Sequence, residues 1–320
     1  MTGTVTDKLT ATRLLGDLGF VLAVDNCARG CEHCPAYGSR TPVSRAPFDD
    51  LEHRLIGITA ARRRLGLAPP SRVVHCWRIS DPLDYAWRTA TGRVATCADV
   101  AGLWRDHLGQ GLYLVTNGSE GKPTARRALA RLVARPELVS QVKLTITHAD
   151  RAWGTTRYLA NIADDLRTLI PLWELPATRW EDPVGRRFRV NVKSTPERYG
   201  ETRAAVVQAL FHAGLSVRRA VDACGDPQRV RFKQIYDLGT AAGQHSPLVG
   251  ALDLSDESGA RHKPTPGTRD RLQYGVRPDG RLFIVDMYAF TEHDLSSDGR
   301  PVTLHDVLNA EADCHAVTDA

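Results

Sequence analysis

The sequence predicts an α/β fold: an open, partial (β/α)6 TIM-like barrel with a small α+β C-terminal extension. Three observations predict it. Apolar, strand-like runs alternate with helical segments five or six times between residues 19 and 225, and such alternation implies a parallel sheet with helices outside it. Six units are too few for a closed eight-fold barrel. Past Asp226 the alternation stops, and a hairpin with an Asp279-Gly280 turn takes its place. The expected organisation is an N-terminal extension over 1–18, the barrel over 19–225, and a C-terminal segment over 226–320 that covers the pocket.

The elements follow in order. Gly19 to Val24 is an apolar run that reads as the first strand. Phe48 to Leu65 reads as a helix, because Leu51, Leu55 and Ile58 recur at helical spacing and Gly66 with Pro69-Pro70 stops it. Val73 to Trp77 is the second strand. Thr96 caps a helix that runs to Leu108 and ends at Gly109. Leu112 to Thr116 is the third strand, with Asn117-Gly118 as its turn. Lys122 to Val139 is helical with a break at Pro136, and Val142 to Thr147 is the fourth strand. A helix over Thr155 to Leu169, a strand over Phe188 to Val192 and a helix over Pro196 to His212 follow. Val217 to Ala223 is expected as the sixth strand. In the C-terminal segment, Leu272 to Arg277 and Arg281 to Val285 form the hairpin, and Val302 to Ala312 a closing helix.

A chain of 320 residues can bury a large core. Its apolar share of 42% and charged share of 25% are those of an ordinary globular protein. No window approaches the ~18 uninterrupted apolar residues of a membrane span, and the first residues have no secretory pattern. Seven cysteines, an odd number with three clustered, argue for a reducing, cytoplasmic setting rather than a disulfide framework. The formal charge is +5. Arginine carries most of the positive charge, which reads either as the imprint of a GC-rich genome or as preparation for a phosphate or carboxylate. The basic residues are scattered rather than blocked together, so no nucleic-acid partner is expected.

The organising motif is Val24-Asp25-Asn26-Cys27-Ala28-Arg29-Gly30-Cys31-Glu32-His33-Cys34-Pro35, in which three cysteines are spaced C-x3-C-x2-C. Thiolates this close together select zinc, Cu(I) or an iron–sulfur cluster. A four-iron cluster ordinarily takes four cysteines. This run supplies three with no fourth nearby, which leaves one iron open to a further ligand. A zinc knuckle that includes His33, or plain thiols, are the other readings of the same spacing. Zinc sites, however, usually add a distant second ligand pair, and none follows here. The run resembles the cluster loop of the radical S-adenosylmethionine (radical SAM) enzymes. The resemblance implies a [4Fe-4S] cluster on Cys27, Cys31 and Cys34, with SAM chelated to the fourth iron through its amino and carboxylate groups. His33 matches the aromatic position before the third cysteine.

The resemblance extends to the strand ends, over residues 19 to 225 in all. The second strand ends Ser80-Asp81-Pro82, a partial match to the family's Gly-Gly-Glu-Pro motif, whose backbone and acid hold the SAM ammonium. Asp-Pro is also a turn dipeptide. Val115-Thr116-Asn117-Gly118 is similar to the family's Thr-Asn-Gly, and it is equally an Asn-Gly turn. Thr145 and Thr147, before His148, match the polar strand end that contacts the SAM ribose and carboxylate, or are simply the outward residues of a half-buried strand. Asn191 and Lys193 end the fifth strand where polar groups often face the cofactor; Lys193 also fits a solvated surface.

Gly275 to Val285 resembles the Pro-Asp-Gly hairpin that opens SPASM or twitch domains, but Ile284, Val285 and Asp286 stand where those carry cysteine. A single cluster is therefore expected. The implied chemistry is reductive cleavage of SAM, fed by a flavodoxin- or ferredoxin-type electron donor, to methionine and a 5′-deoxyadenosyl radical that abstracts a hydrogen atom from the substrate. Cys224, expected just past the last strand, reads either as a hydrogen-atom donor for epimerisation or as a small buried cysteine. The cysteine loop begins about 27 residues in, which favours a small-molecule substrate such as a sugar, nucleoside or amino-acid-derived precursor. A ribosomal peptide is the second enzyme reading, and a zinc-stabilised binding module the reading from another class.

Overall fold

The computed structural model describes residues 8–27, 42–70, 73–77, 80–150, 152–178, 185–234, 272–286, 291–297 and 299–309. In order, its main elements are α1 (Lys8–Gly16), β1 (Leu18–Val21), β2 (Val24–Asp25), β3 (Ser44–Arg45), α2 (Phe48–Arg64), β4 (Ala86–Arg88), β5 (Val94–Thr96), α3 (Cys97–Leu108), β6 (Leu112–Thr116), α4 (Pro123–Ala134), β7 (Val139–Thr147), α5 (Thr156–Leu169), β8 (Phe188–Ser194), α6 (Tyr199–His212), α7 (Val217–Cys224), β9 (Val230–Gln234), β10 (Leu272–Val276), β11 (Leu282–Asp286) and β12 (Thr291–Asp294). The fold is mixed α/β. No helix among the described residues is long and apolar enough to cross a membrane.

Strands β6, β7, β8 and β9 form a parallel sheet in that order. Each crossover contains at least one helix, as parallel pairing requires. On one face Val142, Leu144, Ile146, Phe188, Val190, Val192, Val230 and Phe232 are at most 1% exposed. They share one core with Ile162 and Leu166 of α5 and Val206 and Leu210 of α6. The other face is polar, since side chains alternate along a strand.

A second sheet has the order β1-β10-β11-β12, with β1 and β10 parallel and the remaining pairs antiparallel. Residues 73–77 join the two sheets. Val21 donates its N–H to the His75 carbonyl at 2.9 Å, His75 to Gly19 at 2.8 Å and Ala23 to Cys76 at 2.8 Å. On its far side the Trp77 indole donates to the Tyr113 carbonyl at 2.9 Å. A line of contacts crosses both sheets on one side. Phe283 meets Phe20 at 6.2 Å, Phe20 meets His75 at 5.5 Å and His75 meets Tyr113 at 5.7 Å between ring centroids. The Lys143 ammonium then sits 4.9 Å above the Tyr113 ring. Phe20, Leu22, Phe283 and Val285 form a buried apolar cluster apart from the main core. A methyl group at Gly275 would lie 2.3 Å from the Phe283 ring, so this close approach excludes a side chain.

Most boundaries agree with the sequence. Thr96 donates to and receives support from Asp99: its N–H reaches Oδ2 at 2.7 Å and its hydroxyl at 3.0 Å, a cap that satisfies orphan donors at the start of α3. Arg131 of α4 grips the same carboxylate through two bonds of 2.9 and 3.0 Å. Burial raises the Asp99 pKa, but the bonds from Arg131, Thr96 and Arg93 outweigh it and leave the group at about 2.

Three expectations are corrected. Val217 to Ala223 is helical, not a strand: Ala220, Ala223 and Cys224 are buried at helical spacing while Val217 and Val221 lie exposed, and the Ser216 hydroxyl accepts from the Arg219 N–H at 3.3 Å. The strand expected there is β9, so the parallel sheet runs to Gln234, beyond the expected boundary at 225. The helix from Lys122 ends at Ala134, because Pro136 starts a short 3-10 turn and β7 begins at Val139. Residues 73–77 form a single bridge rather than a full ladder. The hairpin is present as β10 and β11, and residues 304–309 are helical; the rest of the expected closing helix lies outside the described residues.

Candidate functional site

The chain leaves β1 through Val24 and Asp25 and turns at Asn26, whose φ of 66° is left-handed. Asparagine tolerates that conformation better than most residues. Cys27 follows, half-buried. Cys31, His33 and Cys34 lie outside the described residues, as does Cys314, so the described residues hold no group of three metal-binding side chains.

Both ends of the cysteine segment are fixed. Val24 pairs with Arg45 and Asp25 with Ser44. The Asn26 amide donates to the Pro42 carbonyl at 3.1 Å, and Ala46 donates its N–H to Ala23 at 2.9 Å. The C-terminal hairpin adds a charged tie. Arg277 Nη1 lies 2.8 Å from Asp25 Oδ2, with both side chains 13% exposed. Its Nε lies 2.7 Å from Asp294, and its guanidinium stacks 4.7 Å above Phe283. A partly buried arginine that bridges two carboxylates is worth more than an exposed pair.

Ser80 and Asp81 connect this root to the third strand end. The Ser80 hydroxyl donates to the Val24 carbonyl at 2.9 Å. Asp81, 4% exposed, accepts from the Leu83 N–H at 2.9 Å, from the Thr116 hydroxyl at 2.7 Å and from the Asn117 N–H at 2.9 Å. Asp81 therefore positions a strand end, a task its Asp-Pro context did not reveal. A second carboxylate that the sequence reading missed completes the turn. Asp165, 1% exposed, accepts from the Ser119 N–H at 2.7 Å and hydroxyl at 2.6 Å. Gly118 has a φ of 94°, and a Cβ there would sit 2.5 Å from Asp165, so glycine is required on both counts. Asp165 lies on the apolar stripe of α5 beside Ile162 and Leu166; a carboxylate on such a stripe is the signal that could have found it.

Thr145, Thr147 and Asn191 are 3%, 1% and 8% exposed. Register pairs Thr145 with Asn191 and Thr147 with Lys193, which brings these expected residues onto the polar face. Cys224 is not with them. It ends α7, six residues before β9 begins, so it stands where the chain enters the N-terminal ends of the strands, opposite the rim of Cys27, Asp81 and Asn117. Burial pushes its thiol up to about 11. The hydrogen-donor expectation placed Cys224 just past a strand; that segment is a helix, and Cys224 is its last residue.

Among the described residues, Cys27 stands at the root of a segment anchored at both ends, and thiols such as those of the motif are soft donors, which suit a cluster better than a hard cation. No protein-family model and no curated protein matches the chain.

Proposed function

We propose that the chain is a radical SAM enzyme acting on a small molecule, and that its two sheets, linked through residues 73–77, are the parts of a partial (β/α)6 barrel with the C-terminal hairpin added beside the first strand. One observation carries the reading. The root of the C-x3-C-x2-C segment is tied by Ser80 to Val24, and Asp81 next to it holds Thr116 and Asn117, so the residue range that leads into the thiols and the polar strand ends share one edge.

Cys27, Cys31 and Cys34 would hold a [4Fe-4S] cluster, and Ser80, Asn117, Thr145, Thr147 and Asn191 would line the SAM site with His33. With an electron from a flavodoxin- or ferredoxin-type donor, the bound cluster and SAM supply a 5′-deoxyadenosyl radical that takes a hydrogen atom from substrate. The chain's own residues do the rest. Asp25 and Arg277 fix the segment root. Asp81 and Asp165 hold the Thr116-Asn117-Gly118 turn. Phe20, Leu22, Phe283 and Val285 provide a dry wall that excludes water. The clustered thiols suit a reducing, cytoplasmic setting.

Metal analysis after anaerobic purification tests the assignment. About four iron and four acid-labile sulfide per chain are expected. One zinc without sulfide would replace the enzyme with a zinc-stabilised module.

A further inference from the structure

The C-terminal hairpin grips the roots of the cysteine segment more firmly than its own docking requires. Other contacts already place its strands. β10 pairs with β1 in parallel, the Leu22 N–H donates to the Val276 carbonyl at 2.8 Å, and Phe283 packs on Phe20. Yet the turn after β10 also meets the elements on either side of the thiol segment. Before the segment, Arg277 pairs with Asp25, two residues ahead of Cys27. After it, Arg54 of α2 donates through Nη1 to the Arg277 carbonyl at 3.1 Å and to the Pro278 carbonyl at 2.9 Å.

Further charges stiffen that turn. Asp294 of β12 accepts from Arg277 Nε at 2.7 Å and from Arg281 Nη1 at 2.9 Å, and Arg281 Nε reaches Asp279 at 2.7 Å. Arg277 thus bridges Asp25 and Asp294 while itself largely buried. Buried ion pairs add little net stability over apolar packing of the same shape, so stability does not account for the bridge. What it supplies is geometry, because a planar guanidinium held by two carboxylates fixes the place of both. One of the two belongs to Asp25, whose Cα lies at most about 7 Å from that of Cys27. At that range a partly buried charge acts on its neighbour with little screening.

We propose that Arg277 and Asp25 are positioning residues of the thiol centre. They fix where Cys27 enters it, and as a pair they cancel each other's charge beside it. That the centre is a redox-active cluster rests on the proposed function; that the pair positions its metal does not.

Two measurements on the anaerobically purified full chain test this: the rate at which metal passes to a colorimetric chelator, and the midpoint potential from a titration followed by electron paramagnetic resonance. Arg277→Met and Asp25→Asn each break the tie and are expected to release metal about tenfold faster or more, as loss of support behind a ligand does. Arg277→Lys, which keeps the charge but not the fork, is expected to fall between them and the unmodified chain. The potentials are expected to move in opposite directions. Arg277→Met leaves an unbalanced anion that disfavours the added electron and lowers the potential; Asp25→Asn leaves an unbalanced cation that raises it. A merely loosened fold would move both the same way. The double variant Asp25→Asn/Arg277→Met is expected to restore the potential while metal release stays fast. Release unchanged in both single variants, or potentials of an iron-bearing chain that do not separate in sign, would overturn the proposal. Asp25→Asn and Arg277→Lys preserve size, so the outcome does not depend on Arg277→Met folding. Iron with unchanged release defeats this inference alone; zinc with accelerated release defeats the cluster reading alone.

Discussion

Cys27→Ser is expected to lose most of its iron and sulfide and to reduce 5′-deoxyadenosine formation to background. Serine matches cysteine in shape but offers a hard, protonated hydroxyl where the metal requires a soft thiolate. A cluster held at three corners by protein has no spare ligand to replace the one removed. The fold should survive, because Cys27 is half-buried and outside the core. Cys76→Ser is the informative contrast. Cys76 is fully buried, with its thiol pushed up first by burial and then by neighbouring Cys97. A hydroxyl in its place costs about 1–3 kcal/mol of stability, yet iron should remain. Metal content and a urea melt on both variants separate ligand from core. Equal iron in Cys27→Ser and the unmodified chain would remove Cys27 from the ligand set.

Asp81→Ala carries the second largest effect, on stability and on SAM affinity together. The carboxylate is the acceptor for the Leu83 N–H, the Thr116 hydroxyl and the Asn117 N–H. Alanine would leave all three without it. At about 1 kcal/mol for each such bond, and more for bonds to a charged group, the expected loss is about 3 kcal/mol by urea denaturation. Asp81→Asn keeps one oxygen acceptor and should lose roughly half as much. SAM binding should weaken in both variants, because the Thr116-Asn117 turn is no longer held beside the cysteine root. Stability unchanged in Asp81→Ala would mean the carboxylate does not tie the strand ends.

The local structure was legible in the sequence where one stretch of chain decides it. Leu112 to Thr116 begins and ends as its apolar run and Asn-Gly turn indicate, and Thr96 caps α3 through Asp99, three residues on. The failures lie where tertiary packing decides. Val217 and Val221 make α7 look like a strand, but burial follows Ala220, Ala223 and Cys224. That one misreading displaced the last strand and put Cys224 on the wrong rim. The site was legible as a motif and not as an assembly. Asp25 and Arg277 are 252 residues apart in sequence, and nothing local pairs them. Likewise, the polar alternation of Lys143, Thr145 and Thr147, of Arg189, Asn191 and Lys193, and of Arg231 and Lys233 is visible strand by strand. Only the register of β7, β8 and β9 gathers it into one basic face.

The central claim is that three cysteines hold an iron–sulfur cluster that opens SAM. Chromatography of an anaerobic mixture of the full chain, SAM and dithionite tests it most directly. The account predicts release of 5′-deoxyadenosine and methionine, dependent on protein, reductant and bound iron. Iron-loaded protein that leaves SAM intact under those conditions would contradict it.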